Sequence, residues 1–475
     1  MLDSDFAQLS VGGLRGFSTA ESLVFARPNG APGSGLTVIV GSNNAGKSTL
    51  IESLFALSRP QAPSFTEGRR NQSFGDRVEI GLSTASGASI SVKSLRPGGS
   101  ETVLAGDVRS DRLFIVPSRR AFAPFFGNIG GDIPREQYVG SWRGQELRTP
   151  LMEGFAVRLF RIDRDATRRG EFQTVMAEII DPPPEWAIDQ SDGGQYYLRY
   201  RWEGPSGVIS HNSEGLGDGL VSLLSMVDSV YDAKPDSMVV IDEPELSLHP
   251  QLQKRVRSLL SRRASSLQIV VATHSPYFVS WSDVNNGATV VRVHKTAAGS
   301  RIAQPSAATL KRVARFAQDL NNPHVLGLEA SEVFFLEDHV LLVEGQEDVV
   351  VLPRVLDQLG ASLPGTFFGW GVGGASKMDA FAGLLQEMGY ASVVGILDGN
   401  MGAEAERLRA AYPAYRFLCI PADDVRTKPA VAAREQVEGL VDERGVLRPE
   451  HAAGMLALLA EATDYLGHFE SETAP

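Results

Sequence analysis

The 475-residue chain has one cysteine, Cys419. A single thiol cannot form an intrachain disulfide, which excludes disulfide-stapled domains and zinc ribbons and fits a reducing compartment. No run approaches the roughly 18 apolar residues needed to cross a bilayer. The first residues, MLDSDFAQLSVGG, lack the positive start and apolar core of a signal peptide. We therefore expect a soluble, cytoplasmic protein with no membrane segment.

The chain has no excess of positive charge. Lys and Arg number 45 against 57 Asp and Glu, a net charge of −12, which argues against a protein that coats nucleic acid by bulk charge. Residues 1–330 carry 35 basic and 34 acidic residues, whereas 331–475 carry 10 and 23, so the net charges are +1 and −13. A cation site, a solvated surface or a protein-facing patch could account for this acidity. The better candidates for phosphate-backbone contacts are three pairs in the first part: Arg69-Arg70, Arg119-Arg120 and Arg168-Arg169.

The sequence also lacks sustained heptads and repeats of fixed period, so long coiled-coil arms are not expected. The composition, with 43% hydrophobic and 21% charged residues, is that of a folded protein. A chain of this length is expected to form two or three domains, since single cores rarely grow beyond about 250–300 residues. Apolar strands alternating with helical patterns predict the α/β class, with a domain boundary between about residues 320 and 335.

A glycine-rich segment, GSNNAGKST at 41–49, matches the phosphate-loop pattern G-x-x-x-x-G-K-[ST]. It lies between the apolar run LTVIV, a predicted buried strand, and a predicted helix, which is the context that this pattern requires. Backbone N–H groups of such a loop bind phosphates, Lys47 reaches the β- and γ-phosphates, and the Ser48 hydroxyl can hold Mg²⁺. The predicted ATP-binding residues are Gly41, Asn44, Gly46, Lys47, Ser48 and Thr49.

Two further apolar runs end in residues suited to nucleotide hydrolysis. The run in SMVVIDEPELSLHP (237–250) ends at Asp242-Glu243, as a strand does when it delivers carboxylates to a phosphate pocket. We expect Asp242 to bind Mg²⁺ through water and Glu243 to accept a proton from the attacking water. The run LQIVVAT ends at His274, a position from which a side chain could touch the γ-phosphate.

With NSEGLGDG at 212–219, these motifs resemble the ATP-binding-cassette ATPases, in the branch shared by SMC-like and OLD-family proteins. The resemblance covers about residues 8–295. It implies that Ser213-Glu214-Gly215 is the signature segment, in which Ser213 and Gly215 complete the ATP site of a partner subunit, so a homodimer or higher homo-oligomer is expected. It also implies that ELSLHP is the D-loop region and His274 the switch histidine. Glu and Leu replace the small residues usual in the signature, and Gln72 is a candidate Q-loop glutamine.

The last third restarts the strand and helix pattern at HVLLVEGQED (339–348) and SVVGILDGN (392–400), which predicts a second α/β unit with a parallel sheet. Glu344 and Asp398 each follow a predicted strand. Strand-end carboxylates of this kind can form a Mg²⁺ site. The predicted metal ligands are Glu344, Asp348, Asp398 and Asn400, and weaker candidates for the same site are Asp423, Asp424 and Lys428.

Glu344-Gly345 at one strand end and Asp398-Gly399 at another resemble a TOPRIM domain, with GWGVGGASKMDAF (369–381) as the glycine-rich segment between them. Combined with the ATPase motifs, this resembles the OLD-family ATP-dependent endonucleases over nearly the whole chain. The resemblance implies an ABC-type P-loop ATPase domain at 1–325 and a smaller α/β TOPRIM-like domain at 330–475. Glu344 and Asp398 would be catalytic, with Mg²⁺ or Mn²⁺ bound. Family members usually have Asp-x-Asp where this chain has Asn400, which carries no charge.

The leading functional hypothesis is an ATPase that gates a metal-dependent DNA endonuclease, with defence against phage or foreign DNA as the family-level implication. An alternative is an ATP-driven sensor or scaffold whose TOPRIM site is inactive and whose acidic part binds a protein partner. The third hypothesis, an SMC-like DNA repair ATPase, is disfavoured by the absence of coiled-coil patterning between Gly46 and Asp242.

Overall fold

The computed structural model describes residues 5–107, 112–118, 153–194, 196–204, 207–212, 218–317, 329–428 and 437–473. The chain divides into two compact units. The first comprises Met1–Phe278, Ser282–Val293 and Ala298–Ile302, and the second Val279–Trp281, His294–Ala297 and Ala303–Pro475. The prediction that the chain belongs to the α/β class is confirmed.

The first unit contains three sheets and six described helices. Its strands are β1 (Phe6–Gly12), β2 (Glu21–Val24), β3 (Leu36–Val40), β4 (Glu79–Thr84), β5 (Ser89–Ser94), β6 (Thr102–Gly106), β7 (Leu113–Val116), β8 (Glu185–Gln190), β9 (Tyr196–Gly204), β10 (Gly207–Asn212), β11 (Met238–Asp242), β12 (Gln268–Ala272), β13 (Thr289–Thr296) and β14 (Gly299–Ala303). Its helices are α1 (Lys47–Ser58), α2 (Glu153–Arg164), α3 (Ala166–Ala177), α4 (Asp218–Tyr231), α5 (Pro250–Arg263) and α6 (Trp281–Asn286).

A six-stranded sheet forms the core of the first unit, in the order β14-β13-β3-β12-β11-β7. The strands β13, β3, β12, β11 and β7 run parallel. Since β3, β11 and β12 are buried along their whole length, their sequences are mostly apolar. Val38, Ile39 and Val40 are each at most 1% exposed; burying each such side chain contributes about 1.5–3 kcal/mol.

Two antiparallel sheets accompany this core. The larger has the order β2-β1-β4-β5-β6, and it includes the antiparallel pairs β4–β5 and β5–β6. The smaller has the order β10-β9-β8. Alternate residues of β4 and β5 are buried, which is the pattern of a sheet that covers a core on one face only.

The second unit is built on a four-stranded, fully parallel sheet in the order β16-β15-β17-β18. Its strands are β15 (His339–Val343), β16 (Thr366–Phe367), β17 (Ser392–Leu397) and β18 (Arg416–Cys419). Its helices are α7 (Ala307–Ala317), α8 (Ser331–Phe334), α9 (Gln346–Leu359), α10 (Ala375–Glu387), α11 (Gly402–Ala411) and α12 (Pro449–Thr473). The long helix α12 completes the core, since Leu459 and Leu466 belong to the same buried cluster as Val394 and Ile396 of β17.

The boundary between the units lies earlier than the sequence predicted. Helix α7 falls within the predicted first domain, 1–325, but it belongs to the second unit. The reason is its packing on α10: Arg312 pairs with Asp379 at 2.7 Å, and the Phe316 and Phe381 ring centroids are 6.4 Å apart. Within the described ranges, no helix is long and apolar enough to span a bilayer.

Candidate functional site

Three neighbouring strands of the first unit end at one edge of the sheet. Ile39 in β3 lies beside Ala272 in β12, which in turn lies beside Asp242 in β11. The phosphate loop, the segment containing His274 and the turn containing Glu243 therefore leave the sheet at the same level. In open α/β sheets, ligands bind at this carboxyl edge.

Two glycines fix the shape of the phosphate loop. Gly41 and Gly46 have φ angles of 147° and 122°, a region that side chains other than hydrogen rarely tolerate. A Cβ atom at Gly41 would lie 2.1 Å from the carbonyl oxygen of Val293, so only glycine fits there. Asn44 takes a left-handed φ of 61°, which asparagine tolerates better than most residues. The backbone thus adopts the bend that turns N–H groups towards a phosphate.

Lys47 begins α1 and is only 5% exposed. Its Nζ donates to the carbonyl oxygens of Gly41 at 2.8 Å and Ser42 at 3.0 Å, and it lies 3.5 Å from Nδ1 of His274. Burial lowers the pKa of Lys47 to about 8, although nearby carboxylates, Glu243 foremost, act in the opposite direction. A phosphate anion would stabilise this poorly hydrated ammonium group.

Ser48 and Asp242 carry the oxygen donors expected of a Mg²⁺ site. Asp242 ends β11 and is 3% exposed, while Ser48 is exposed in the first turn of α1. The negative charge of the Asp242 carboxylate acts to raise the pKa of Lys47, which shows that the two groups interact electrostatically. A hydroxyl and a carboxylate are hard ligands that suit Mg²⁺. Thr49 is buried, and its N–H donates to the carbonyl oxygen of Gly46 at the helix start.

Glu243 and His274 face one another across this edge. Nε2 of His274 lies 3.9 Å from Oε1 of Glu243. Glu243 has a left-handed φ of 47°, and its N–H donates to the carbonyl oxygen of Ala272 at 2.8 Å. Burial, followed by the positive charge of Lys47, lowers the pKa of His274. A neutral imidazole can donate one hydrogen bond to a phosphate oxygen without carrying charge.

The second unit brings Glu344 and Asp398 together at the carboxyl edge of its own sheet. The backbone N–H of Asp398 donates to Oε1 of Glu344 at 2.9 Å, and that of Ala375 donates to Oε2 at 3.3 Å. Burial raises the pKa of Glu344, against the effect of these two donors. The Glu344 side chain thus fastens β15 to the residues that follow β17 and begin α10.

The glycine-rich segment at 369–374 wraps around Glu344. The N–H groups of Gly373 and Gly374 both donate to the carbonyl oxygen of Glu344, at 2.9 and 2.8 Å. Gly371 has a φ of 89°, and a Cβ atom there would lie 2.6 Å from Cα of Gly345. The glycines of this segment are therefore required by its close approach to the strand end.

Asp348 and Asp398 add negative charge to the same edge. Oδ2 of Asp348 accepts the N–H of Gly345 at 2.7 Å and so caps α9. Burial raises the pKa of Asp348 to about 7. Burial raises the pKa of Asp398 to about 8, with further contributions from Glu344 and Asp348. Burial, with a smaller contribution from the neighbouring acids, thus favours the protonated form of both carboxyls near neutral pH.

The remaining predicted ligands lie beside these acids. Asn400 is exposed, and its Nδ2 donates to the carbonyl oxygen of Asp423 at 3.1 Å. Asp424 is paired with Lys428. Across the described ranges, no group of three or more His, Cys, Asp or Glu side chains is arranged to hold a metal ion. The fold thus places the predicted metal ligands at one edge of the sheet, but their side chains are not arranged there as a coordination site.

Two protein-family models match the first unit. A model described as an AAA domain matches residues 8–138, and one described as AAA domain, putative AbiEii toxin, Type IV TA system, matches residues 155–280. The phosphate loop lies in the first match; Asp242, Glu243 and His274 lie in the second. The first unit carries an AAA-type ATPase domain.

Similarity to whole proteins is more limited. The Old nuclease of Escherichia phage P2 is 31% identical over 121 residues, which are 25% of this chain and 20% of that protein. The chain thus aligns with about a fifth of the length of this relative. An SMC head domain from Thermotoga maritima is 14% identical with a TM-score of 0.37, and it covers 64% of this chain and 99% of its own. An Smc head bound to the C-winged helix domain of ScpA is 16% identical with a TM-score of 0.40, and the match covers 64% of this chain and 98% of that one.

The sequence placed Glu245 in the D-loop region, ELSLHP, but indicated no contact or role for its side chain. Its Oε1 accepts the backbone N–H of His274 at 2.7 Å, and its Oε2 accepts the hydroxyl of Thr273 at 2.7 Å. The sequence signal was present in Asp242-Glu243-Pro244-Glu245, where a second glutamate follows the predicted base. Nothing local, however, indicates that this glutamate contacts a strand end 28 residues further along the chain.

The other predicted residues of the ATPase domain lie outside the described ranges or away from the contacts described above. Ser213 and Gly215 lie outside the described residues, as do Arg119 and Arg120. Gln72 is exposed in a short 3-10 turn, Gln72–Phe74. The four described arginines proposed for phosphate contacts each have protein partners. These pairs are Arg69 with Glu52, Arg70 with Asp76, Arg168 with Asp165 and Arg169 with Asp163.

Proposed function

We propose that the ATPase domain hydrolyses ATP at the edge where β3, β12 and β11 end. The observation that carries this proposal is the convergence of Lys47, His274 and Glu243 behind one phosphate loop, with 3.5 Å and 3.9 Å separating the consecutive pairs. These three groups supply a cation, a hydrogen-bond donor and a proton acceptor within reach of one phosphate.

Each residue has a role that its surroundings support. Lys47 binds the β- and γ-phosphates, and His274 holds the γ-phosphate through a ring N–H. Glu243 accepts a proton from the attacking water at a carboxylate oxygen. Ser48 and Asp242 would hold Mg²⁺, which when bound supplies positive charge to the phosphates. Ser213 and Gly215 of a second copy would complete the site, so the working unit is at least a homodimer.

For the second unit we propose a TOPRIM-like, metal-dependent DNA endonuclease that nucleotide binding gates, acting in defence against foreign DNA. The supporting observation is the gathering of Glu344, Asp348 and Asp398 at one sheet edge, where burial raises the pKa of each carboxyl and the negative charge of neighbouring acids raises it further. A hard divalent cation, Mg²⁺ or Mn²⁺, would relieve this repulsion because carboxylate oxygens are its preferred ligands. The partial similarity to the Old nuclease of phage P2 supports a nuclease activity, for which we propose DNA as the substrate.

A second candidate function is a sensor or scaffold that binds a protein partner through an inactive second unit. Three contacts favour it: the two side-chain oxygens of Glu344 each accept a backbone N–H group, and Asp424 is paired with Lys428. In this case the carboxylates stabilise the strand ends and bind no catalytic metal.

One gel separates the two functions of the second unit. Purified protein is incubated with plasmid and either Mg²⁺ or Mn²⁺, with and without ATP, while phosphate release is measured in parallel. Cutting that depends on the metal supports the endonuclease. Phosphate release without any cutting, under all of these conditions, supports the sensor or scaffold instead.

A further inference from the structure

Glu245 lies in the turn that follows β11, and it reaches across to the segment that follows β12. Its two carboxylate oxygens have different partners, the N–H of His274 and the hydroxyl of Thr273, both at 2.7 Å. The Thr273 hydroxyl in turn accepts the N–H of Ser275 at 2.9 Å. The backbone on both sides of His274 is therefore fastened, directly or through one hydroxyl, to Glu245.

The turn that carries Glu245 is itself held in an uncommon conformation. Glu243 and Ser247 have φ angles of 47° and 63°, which residues other than glycine seldom adopt. The N–H of Leu246 donates to the backbone carbonyl oxygen of Glu243 at 3.2 Å, and the N–H of Leu248 donates to that of Glu245 at 3.0 Å. Such a backbone persists only where its surroundings determine it. Glu245 is thus presented by a defined turn.

The far side of the same turn lies against α4. A Cβ atom at Gly219 would come within 2.5 Å of the carbonyl oxygen of Ser247, so helix and turn are in close contact. The hydroxyl of Ser222, one turn further along α4, donates to the carbonyl oxygen of Leu246 at 3.5 Å. The turn therefore touches both the first turns of α4 and the His274 segment.

We propose that Glu245 is the positioning residue for His274: it sets the place of the imidazole relative to Lys47 and transmits displacements of the start of α4 to it. This inference rests on the proposed role of His274 at the γ-phosphate. A carboxylate suits the task because it accepts two hydrogen bonds and donates none, so both of its oxygens can hold donors at once. Charge assistance also makes these hydrogen bonds shorter and stronger than neutral ones.

The test compares Glu245→Ala with Glu245→Gln in the full chain. Alanine removes both acceptors, and we expect kcat for ATP to fall about 100-fold, as happens when a reacting group is displaced by about 1 Å. KM and nucleotide affinity should stay within about twofold, because Lys47 keeps its hydrogen bonds to Gly41 and Ser42 of the phosphate loop. Glutamine can accept from His274 and donate to Thr273, so it should restore most of kcat.

Glu178→Ala is the matched control. Glu178 also lies in the first unit and accepts hydrogen bonds from two side chains, Arg262 and Arg263 of α5, but it does not contact the phosphate loop or His274. This variant should keep the parent kcat. A loss equal to that of Glu245→Ala would mean that any lost carboxylate in this unit impairs activity, and it would overturn the proposal.

A double variant tests whether Glu245 acts through His274. If it does, Glu245→Ala with His274→Ala should hydrolyse ATP no more slowly than His274→Ala alone. Losses that multiply in the double variant would overturn the proposal, as would an unchanged kcat in Glu245→Ala. A parent-like rate in His274→Ala would instead refute the proposed role of His274, and with it the basis of this inference.

Discussion

The backbone N–H of Asp398 donates to the side chain of Glu344 across 2.9 Å. Glu344 and Asp398 each follow one of two neighbouring strands, and this backbone hydrogen bond joins them. Their carboxyl groups nevertheless repel one another when both are ionised. Burial, together with the charge of Glu344, raises the pKa of Asp398 to about 8, so this carboxyl changes its protonation state above neutral pH.

Removal of the proton acceptor should separate ATP binding from ATP hydrolysis. Glu243→Gln keeps the shape of the side chain but cannot take a proton from water, so we expect ATP to stay bound while turnover falls by at least about 100-fold. Lys47→Ala removes the buried ammonium and should weaken binding itself. Equilibrium binding and phosphate release are measured for both variants. Turnover at the parent rate in Glu243→Gln would show that another group is the base.

Nucleotide binding should change the oligomeric state of the chain. The proposed signature residues, Ser213 and Gly215, are distant in sequence from the phosphate loop, and closed two-fold symmetry is the commonest way to bring two such surfaces together. We expect Glu243→Gln to form dimers when ATP is added, because bound ATP is then retained. Light scattering with and without ATP measures this. A monomer under both conditions would contradict the prediction.

The stability of the protein should fall as pH rises through the range in which Asp398 titrates. Burial raises the pKa of Asp398 to about 8, whereas an unfolded aspartate titrates near 4. The folded state therefore binds this proton more tightly, and the stability that it contributes is full below about pH 4 and is lost as pH rises through about 8.

Asp398→Asn removes this titration. In EDTA we expect the variant to unfold at a higher temperature than the parent at pH 9 and at a similar temperature at pH 5. Thermal unfolding at both pH values measures the difference. Asp423→Asn, which removes an exposed carboxylate nearby, is the control. A pH 9 midpoint no higher in Asp398→Asn than in the parent would mean that the carboxyl is well hydrated.

Metal-dependent cleavage should follow the carboxylates of the second unit. We expect weak, Mn²⁺-favoured cutting of plasmid, since Asn400 supplies no charge where a carboxylate would bind a second ion more tightly. Glu344→Ala and Asp398→Ala should abolish it. Asn400→Asp should raise metal affinity or cutting on the order of tenfold, which is the usual scale for a residue that supports a metal site. Cutting that survives both alanine variants would place the nuclease elsewhere or in a contaminant.

Sequence patterns predicted the ATPase core well because its signals are local. Each of Lys47, Asp242 and His274 follows a continuous apolar run, and such runs become buried parallel strands whose ends share one edge. The contacts of Glu245 were missed because its partners lie at the end of another strand. The unit boundary was misplaced because helix α7 is assigned by its packing on α10, which no local pattern reveals.

In the second unit, too, the sequence indicated where side chains lie but not which groups they contact. The pattern predicted that Glu344 and Asp398 would meet, since both follow buried strands. It did not predict that backbone N–H groups would occupy both oxygens of Glu344, because hydrogen bonds from Ala375 and Asp398 depend on how three segments approach one another. These tertiary hydrogen bonds determine how many oxygens of the carboxylate are free to bind a cation.

The pairing of β3 has a consequence for synthesis of the chain on the ribosome. This strand is complete by residue 40, yet its two sheet neighbours, β12 and β13, begin only at residues 268 and 289. During translation, both edges of this mostly apolar strand therefore stay unpaired until more than half of the polypeptide has been made. Long-range parallel pairing of this kind is slow and exposed to aggregation. Truncation products that end before β12 should be insoluble or bound by chaperones, even though they contain the whole phosphate loop.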